Sequence, residues 1–139
     1  MGKRIALAGV VLAVFLIGIL VGNRAGVGWR DIIPVGDVAV KARPSFSRDI
    51  LPIFLQDCLA CHSAVDAHNG LRLDSYEGVM KGTQFGAVVE PGKPELSNLI
   101  AVVTRQTAPA IWMPYHGERL SPNKITNIKN WIASGARND

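Results

Sequence analysis

The chain has 139 residues, with 15 lysines and arginines against 11 aspartates and glutamates, and only two cysteines. Two thiols are too few for the disulfide framework of a small secreted scaffold, and 48% hydrophobic residues exclude a disordered tail protein. Because no run of basic residues is longer than two, the net charge of +4 does not indicate a nucleic-acid-binding surface.

The first predicted element is an apolar segment, residues 5–22, which follows Lys3 and Arg4. As a helix its 18 residues would extend roughly 27 Å, close to a bilayer core of about 30 Å. The two preceding charges predict a cytoplasmic N-terminus and place the rest of the chain on the outer side. We therefore predict that residues 1–22 are an uncleaved transmembrane anchor; a cleaved signal peptide is the alternative.

The remaining chain is predicted to divide into a linker and one domain. Residues 23–44 contain glycine and proline without sustained periodicity, which is typical of a linker. Residues 45–137 show helical periodicity, and we predict that they form one compact domain.

Two helices are predicted in the first half of this domain. With Asp49 as N-cap, the first helix ends at Cys58. The spacing of Asp74 and Glu77 resembles a capping box and predicts a short second helix that ends near Gly82.

Two further helices are predicted in the second half. Pro94 opens the third, and Ser121 with Pro122 forms an N-cap and N1 pair for the last, which Gly135 closes. Because alternating strand patterns are nearly absent, we predict an all-α domain of four to five short helices. So few helical residues give a thin core, which a bound group would have to complete.

The chemistry is indicated by Cys58-Leu59-Ala60-Cys61-His62. C-x-x-C-H is the attachment signature of c-type haem, in which both thiols add to vinyl groups and the histidine binds the iron. We expect a backbone carbonyl in residues 69–71 to hold the other ring nitrogen of His62. The motif predicts one covalent haem c.

Two different interpretations of the cysteines are weaker. A redox dithiol is typically surrounded by a βαβ pattern, which this chain lacks. A zinc site would need two more ligands, and only His68 and His116 remain. The export segment favours haem, because c-type haem is attached outside the cytoplasmic membrane.

The second axial ligand is predicted to be Met113. It follows His62 by 51 residues, in an irregular stretch that Pro114 stiffens. Met80 is the rival methionine, but it lies in a short helix and is expected in the core. Ligation by His116, or a sixth position without any protein ligand, is also compatible with the sequence.

The sequence resembles a class I c-type cytochrome over residues 45–137, and is most similar to bacterial membrane-anchored monohaem domains. The resemblance rests on RDILPIF at 48–54, CLACH at 58–62, GLRLD at 70–74, PGKPELSNLI at 91–100, MP at 113–114 and WIASGA at 131–136. It implies a cytochrome c-like fold in which the first and last helices cross beside the haem. It also implies Cys58 and Cys61 as attachment points, with His62 and Met113 as axial ligands.

Arg72 and Trp112 are candidate haem contacts, with Tyr76 and Lys93 as further candidates for the propionates. Arg72 is preferred because it lies between two apolar neighbours. The competing interpretation places Arg72 and Lys93 on a solvated face and the aromatic rings in the core. His68 is expected at the surface.

These observations predict a membrane-anchored electron carrier on the outer, periplasmic side of the membrane. Its partners would be redox proteins, within or beside a respiratory or photosynthetic membrane complex. With both axial positions filled, no substrate reaches the iron, so neither an enzyme activity nor a small-molecule substrate is predicted. Two rival functions are a mainly structural haem subunit, and a gas sensor or enzyme with an open sixth position.

Overall fold

The computed structural model describes residues 37–139 of the chain. Within these residues there are four α-helices, α1 (Leu51–Asp57), α2 (Tyr76–Lys81), α3 (Asn98–Val103) and α4 (Pro122–Ala133). One π-helical turn, Phe46–Ile50, leads directly into α1, and three short 3₁₀ turns lie between the helices (His68–Gly70, Pro94–Leu96 and Pro109–Ile111). Between residues 37 and 139 there are two isolated bridges and no strand, in agreement with the all-α prediction.

The predicted anchor, residues 1–22, lies outside the described residues, as does the linker up to residue 36. In the part of the chain from 37 onward, no helix combines the length and the apolar character needed to cross a membrane. Residues 37–139 form one unit by their internal contacts, and this unit includes the end of the predicted linker.

The helical segment that leads to Cys58 begins earlier than predicted. Ser45 precedes its first residue, and the carboxylate of Asp49 accepts a hydrogen bond from the Ser45 N–H at 2.9 Å. The prediction that Asp49 is the N-cap is therefore wrong. Its carboxylate caps the helix from within the first turn by reaching back, as the acidic residue of a capping box does.

The start of α2 is shifted by one residue from the prediction. Ser75 is the N-cap, and its Oγ accepts a hydrogen bond from the Gly78 N–H at 3.1 Å. Gly82 ends the helix as predicted, with φ +75°. At that position an added Cβ would lie 2.4 Å from the carbonyl oxygen of Gly86, so only glycine fits.

The third predicted helix is interrupted at Ser97. A 3₁₀ turn covers Pro94–Leu96, and α3 begins after Ser97. The hydroxyl of Ser97 is buried, donates to the carbonyl of Lys93 at 3.0 Å and accepts from the Glu90 N–H at 2.9 Å. Because these bonds satisfy backbone groups outside the helix, the residue favours a break.

The last helix begins and ends as predicted. Ser121 caps α4 by accepting a hydrogen bond from the Lys124 N–H at 3.2 Å, and Pro122 occupies the first helical position. Gly135, with φ +99°, follows the helix end.

The core is built where the first helical turn meets α4. Phe46 is its aromatic centre, with ring centroids 5.4 Å from Trp131, 5.3 Å from Tyr76 and 6.5 Å from Phe54. The fully buried Ile128 and Ile132 extend this core along α4. The first and last helical segments are thus in direct contact, as the resemblance implied.

Residues 37–41, here called the strap, lie against α4. The side-chain amide of Asn127, which is 1% exposed, donates to the carbonyl of Ala39 at 2.9 Å and accepts from the Lys41 N–H at 2.8 Å. Asn130 donates to the carbonyl of Lys41 at 2.7 Å. Two asparagines of one helix therefore hold the strap through its backbone.

Candidate functional site

The two cysteines lie on one tight turn at the end of α1. The N–H of Cys58 donates to the carbonyl of Phe54 at 2.9 Å, which continues the helical bonding by one residue. The N–H groups of Cys61 and His62 then both donate to the carbonyl of Cys58, at 3.2 and 3.1 Å. Both thiols are free; Cys58 packs against the core, whereas Cys61 is exposed.

His62 is held on two sides by the segment that follows the motif. Its ring Nδ1 lies 3.4 Å from the carbonyl oxygen of Leu71, within the range of acceptors predicted from the sequence. Its backbone carbonyl accepts from the Leu73 N–H at 2.8 Å. Because Nδ1 faces a carbonyl, Nε2 is left to bind a metal.

The protonation of His62 suits a metal ligand. Burial lowers its pKa below the ordinary value, and the hydrogen bond to Leu71 only partly offsets this effect. The neutral imidazole, which is the form that binds iron, is therefore favoured near neutral pH.

A second turn closes over the motif. The N–H of His68 donates to the carbonyl of Cys61 at 3.2 Å, and the N–H of Gln84 donates to the carbonyl of Asn69 at 2.8 Å. His68 itself is exposed, 3.5 Å from the carboxylate of Asp66, as expected for a surface residue. The loop after α2 thus supports the turn that follows the cysteines.

The loop that carries Met113 is fixed to the end of α3. The Met113 N–H donates to the carbonyl of Val102 at 3.2 Å, and its half-buried side chain packs against the same core as Cys58. Met80 also packs against this core, from α2, as predicted. His116 is exposed and lies beside the ring of Tyr115, with centroids 4.1 Å apart.

The remaining candidate residues are spread over different parts of the domain. Arg72 is exposed and donates two hydrogen bonds to Asp74, at 3.1 and 3.0 Å, which raises the pKa of Arg72. The hydroxyl of Tyr76 donates to the carbonyl of Ala136 at 2.9 Å, and Lys93 is exposed. Trp112 is half-buried and lies directly before Met113.

A cleft of about 390 Å³ opens beside Met113. It is lined by Arg105, Pro109, Ala110, Trp112, Pro114, Tyr115, His116 and Gly117. Neither cysteine nor His62 lines it, so this cleft does not coincide with the C-x-x-C-H turn. The donor chemistry of that turn, rather than cavity size, therefore defines the site.

One residue of this cleft, Arg105, is not marked by any motif in the sequence. The guanidinium of Arg105 lies 5.2 Å from the centre of the Trp112 ring and donates to the carbonyl of Gly117 at 3.1 Å. In the sequence it is one arginine in a polar stretch, with no local signal. Its contacts are made only when the loop folds back on itself.

The donor set fits a covalently bound haem better than a redox dithiol or a zinc site. Burial, with the charge of Asp57 beside it, raises the pKa of Cys58 to about 12, whereas a redox dithiol needs a readily formed thiolate. Across residues 37–139, no group of three or more histidine, cysteine or acidic side chains is placed to hold a metal ion such as zinc. Two free thiols beside a ring held through Nδ1 are what haem attachment and iron ligation require.

The helical fold and this site are similar to those of a cytochrome c-type domain. The model of the family Planctomycete cytochrome C matches residues 58–114, from the first cysteine to the proline after Met113. No curated protein and no solved structure matches the chain. The family match, with Cys58 and Cys61 at C-x-x-C-H spacing, assigns covalently bound haem c as the cofactor.

Proposed function

We propose that this protein is a membrane-anchored monohaem c-type cytochrome that carries single electrons on the outer, periplasmic side of the membrane. The observation that supports it best is the C-x-x-C-H turn, in which Leu71 holds Nδ1 of His62. Bound haem c supplies a one-electron iron couple. The residues of the chain fix its attachment, its axial ligands and its degree of burial.

His62 and Met113 are proposed as the two axial ligands. The support is that both are half-buried, that His62 is held with Nε2 available, and that the Met113 loop is bonded to α3. A thioether in the sixth position would exclude external ligands and raise the reduction potential relative to two histidines. Electron transfer, rather than catalysis at the iron, follows from that ligation.

The anchor, the periplasmic location and the partners are proposed from the sequence. Residues 5–22 are apolar after Lys3 and Arg4, which would retain the chain in the membrane with its domain outside. Donors and acceptors would be other redox proteins, within or beside a respiratory or photosynthetic membrane complex. No nucleic acid and no small-molecule substrate is expected.

The covalent haem is tested on full-length protein isolated from membranes of cells that attach c-type haem. The mass after acid denaturation should exceed the polypeptide mass by one haem. Cys61→Ala should leave one thioether and shift the pyridine haemochrome band. Replacing both cysteines should abolish retention, and the exposed His68→Ala should behave as the parent protein. The mass of the bare polypeptide would overturn the proposal.

Two further measurements on the same sample test the finer statements. The mature chain should retain residues 5–22, and alkaline washing should not release the protein, because the attachment is apolar. A mature chain that begins near Asn23 would contradict the anchor. Binding of CO by the reduced native protein would contradict a filled sixth position and favour a gas sensor or enzyme instead.

A further inference from the structure

Two buried side-chain atoms of the loop before Met113 have no hydrogen-bond partner. Among residues 37–139, Nε of Arg105 and Oγ1 of Thr107 are buried side-chain atoms with no hydrogen-bond partner among protein atoms. They lie two residues apart in the sequence, within the segment that joins α3 to Met113. Buried polar groups in folded proteins almost always have a partner, so both atoms indicate an acceptor that the polypeptide does not provide.

Contacts within the protein already hold the guanidinium of Arg105 in place. It rests on the face of Trp112 and donates to the carbonyl of Gly117. The indole N–H of Trp112 donates in turn to the carbonyl of Thr107 at 2.8 Å, which fixes the ring. The loop thus holds a cation in place and leaves its Nε–H unused.

No acidic side chain of the described domain neutralises this cation. The five ion pairs found between residues 37 and 139 do not include Arg105. Arg72, the candidate preferred from the sequence, already donates two hydrogen bonds to Asp74. Of these two arginines, Arg105 is therefore the one available to an added anion.

The backbone conformation at Arg105 also indicates a functional role for its side chain. Its φ is +61°, a left-handed conformation in which glycine or asparagine is less strained than arginine. Non-glycine residues in this conformation are often found where a side chain has a functional role. An arginine therefore occupies a position at which the backbone conformation alone would favour glycine.

We propose that Arg105, together with Thr107, forms a carboxylate-binding site beside Met113, and that a haem propionate occupies it in the holoprotein. A guanidinium and a hydroxyl are the donors that a carboxylate accepts in a charge-assisted pair. The cleft at this position, about 390 Å³, gives such a group access to Arg105. The choice of a propionate as the occupant rests on the proposed function. The carboxylate site itself rests on Nε of Arg105 and Oγ1 of Thr107, which have no hydrogen-bond partner.

The test compares four variants of the full-length holoprotein. Arg105→Gln removes the charge of the proposed site. Thr107→Val removes only the hydroxyl, and it still tests the site if Arg105→Gln folds poorly. Arg119→Gln is the matched control, because its guanidinium also donates to a loop carbonyl, that of Thr104 at 3.3 Å. Arg72→Gln tests the rival contact. Haem content is measured for each by the pyridine haemochrome.

The first readouts are the reduction potential and the NMR signal of the Arg105 Nε–H. A positive charge beside a propionate favours the reduced iron, so Arg105→Gln should lower the potential and Thr107→Val should lower it less. Arg119→Gln and Arg72→Gln should leave it nearly unchanged. The Nε–H signal should show slow solvent exchange in the parent protein.

Sodium acetate, compared with sodium chloride at equal ionic strength, distinguishes the source of the carboxylate. If a propionate fills the site, acetate should not move the Nε–H signal. A saturable shift with acetate alone would support the carboxylate site but overturn the propionate as its occupant. If Arg105→Gln has the same reduction potential as Arg119→Gln and acetate does not shift the Nε–H signal, the proposed carboxylate site is overturned. The assignment of covalent haem is not affected by that result. A parent protein without haem would instead overturn the proposed function.

Discussion

The backbone N–H of Met113 donates to the carbonyl of Val102 at 3.2 Å, so the loop of the proposed distal ligand is bonded to the end of α3. This bond does not involve the methionine side chain. Loss of the thioether can therefore be separated from loss of the loop conformation, which makes Met113 a suitable position for substitution.

Met113→Ala should open the sixth position of the iron. The reduction potential should fall, because a thioether favours the ferrous state, and CO and cyanide affinity should rise. The weak long-wavelength charge-transfer band of sulfur-ligated ferric haem should disappear from the visible spectrum. Redox titration and ligand titration of the purified holoprotein measure these effects.

Met80→Ala is the matched control for that substitution, because Met80 packs against the same core. It should leave the potential and the spectrum unchanged and, because Met80 is only partly buried, cost at most the roughly 2–5 kcal/mol of stability that a fully buried methionine loses. If the parent protein lacks the charge-transfer band and His116→Ala changes the spectrum, the ligand is His116 and the assignment of Met113 fails.

Gly82→Ala should destabilise the domain more than Gly92→Ala. Both glycines have positive φ, +75° and +80°, which costs an alanine about 1–2 kcal/mol. At Gly82 the added Cβ would also lie 2.4 Å from a backbone oxygen, whereas at Gly92 nothing lies within 4 Å. Denaturant unfolding of the two variants should show this order; equal losses would contradict it.

Asn127→Ala should release the strap from α4. It removes two hydrogen bonds to the strap backbone, at about 0.5–1.5 kcal/mol each, so we expect a loss of about 1–3 kcal/mol. Asn130→Ala removes one exposed bond and should cost less than half as much. Hydrogen exchange at the Lys41 N–H should accelerate in the first variant and stay close to the parent rate in the second.

Asp49 should make the domain sensitive to acid. Burial alone would raise its pKa, but hydrogen bonds from Lys41 and from the Ser45 N–H outweigh this and lower it below 3.8. A carboxyl with a depressed folded pKa contributes stability that is present above the unfolded value and lost as pH falls through the folded value.

The Asp49→Asn variant tests this contribution by denaturant unfolding between neutral pH and pH 3. Its stability should fall less steeply below about pH 4 than that of the parent protein, and it should be the less stable of the two at neutral pH. Parallel acid profiles for the two proteins would show that Asp49 contributes nothing to the acid dependence.

Features set by short-range chemistry could be predicted from the sequence. Ser121 and Pro122 identify the start of α4 because both act on the first helical turn. The carbonyl acceptor for His62 could be placed within residues 69–71 because the chain returns to the ring after only a few residues. The haem-attachment turn is recognised for the same reason, since its residues are nearly contiguous.

Features set by the way the chain folds around a helix end or back over a loop could not be predicted. The carboxylate of Asp49 suits an N-cap, but the helix begins before it. Ser97 interrupts the third predicted helix through hydrogen bonds to the preceding loop, and the spacing of apolar residues does not predict these bonds. Arg105 is distinguished only by its position over Trp112, where its Nε is buried without a partner.

The strap runs parallel to α4, and this direction determines how the domain would respond to mechanical force. Asp37, at its start, accepts a hydrogen bond from the hydroxyl of Ser121, and later strap residues meet Asn127 and then Asn130. Because the strap comes before the C-x-x-C-H turn in the chain, tension on the segment ahead of Asp37 would reach these bonds before it reached that turn. A domain pulled from its N-terminal side would therefore yield at the strap first and keep the geometry of its metal ligands.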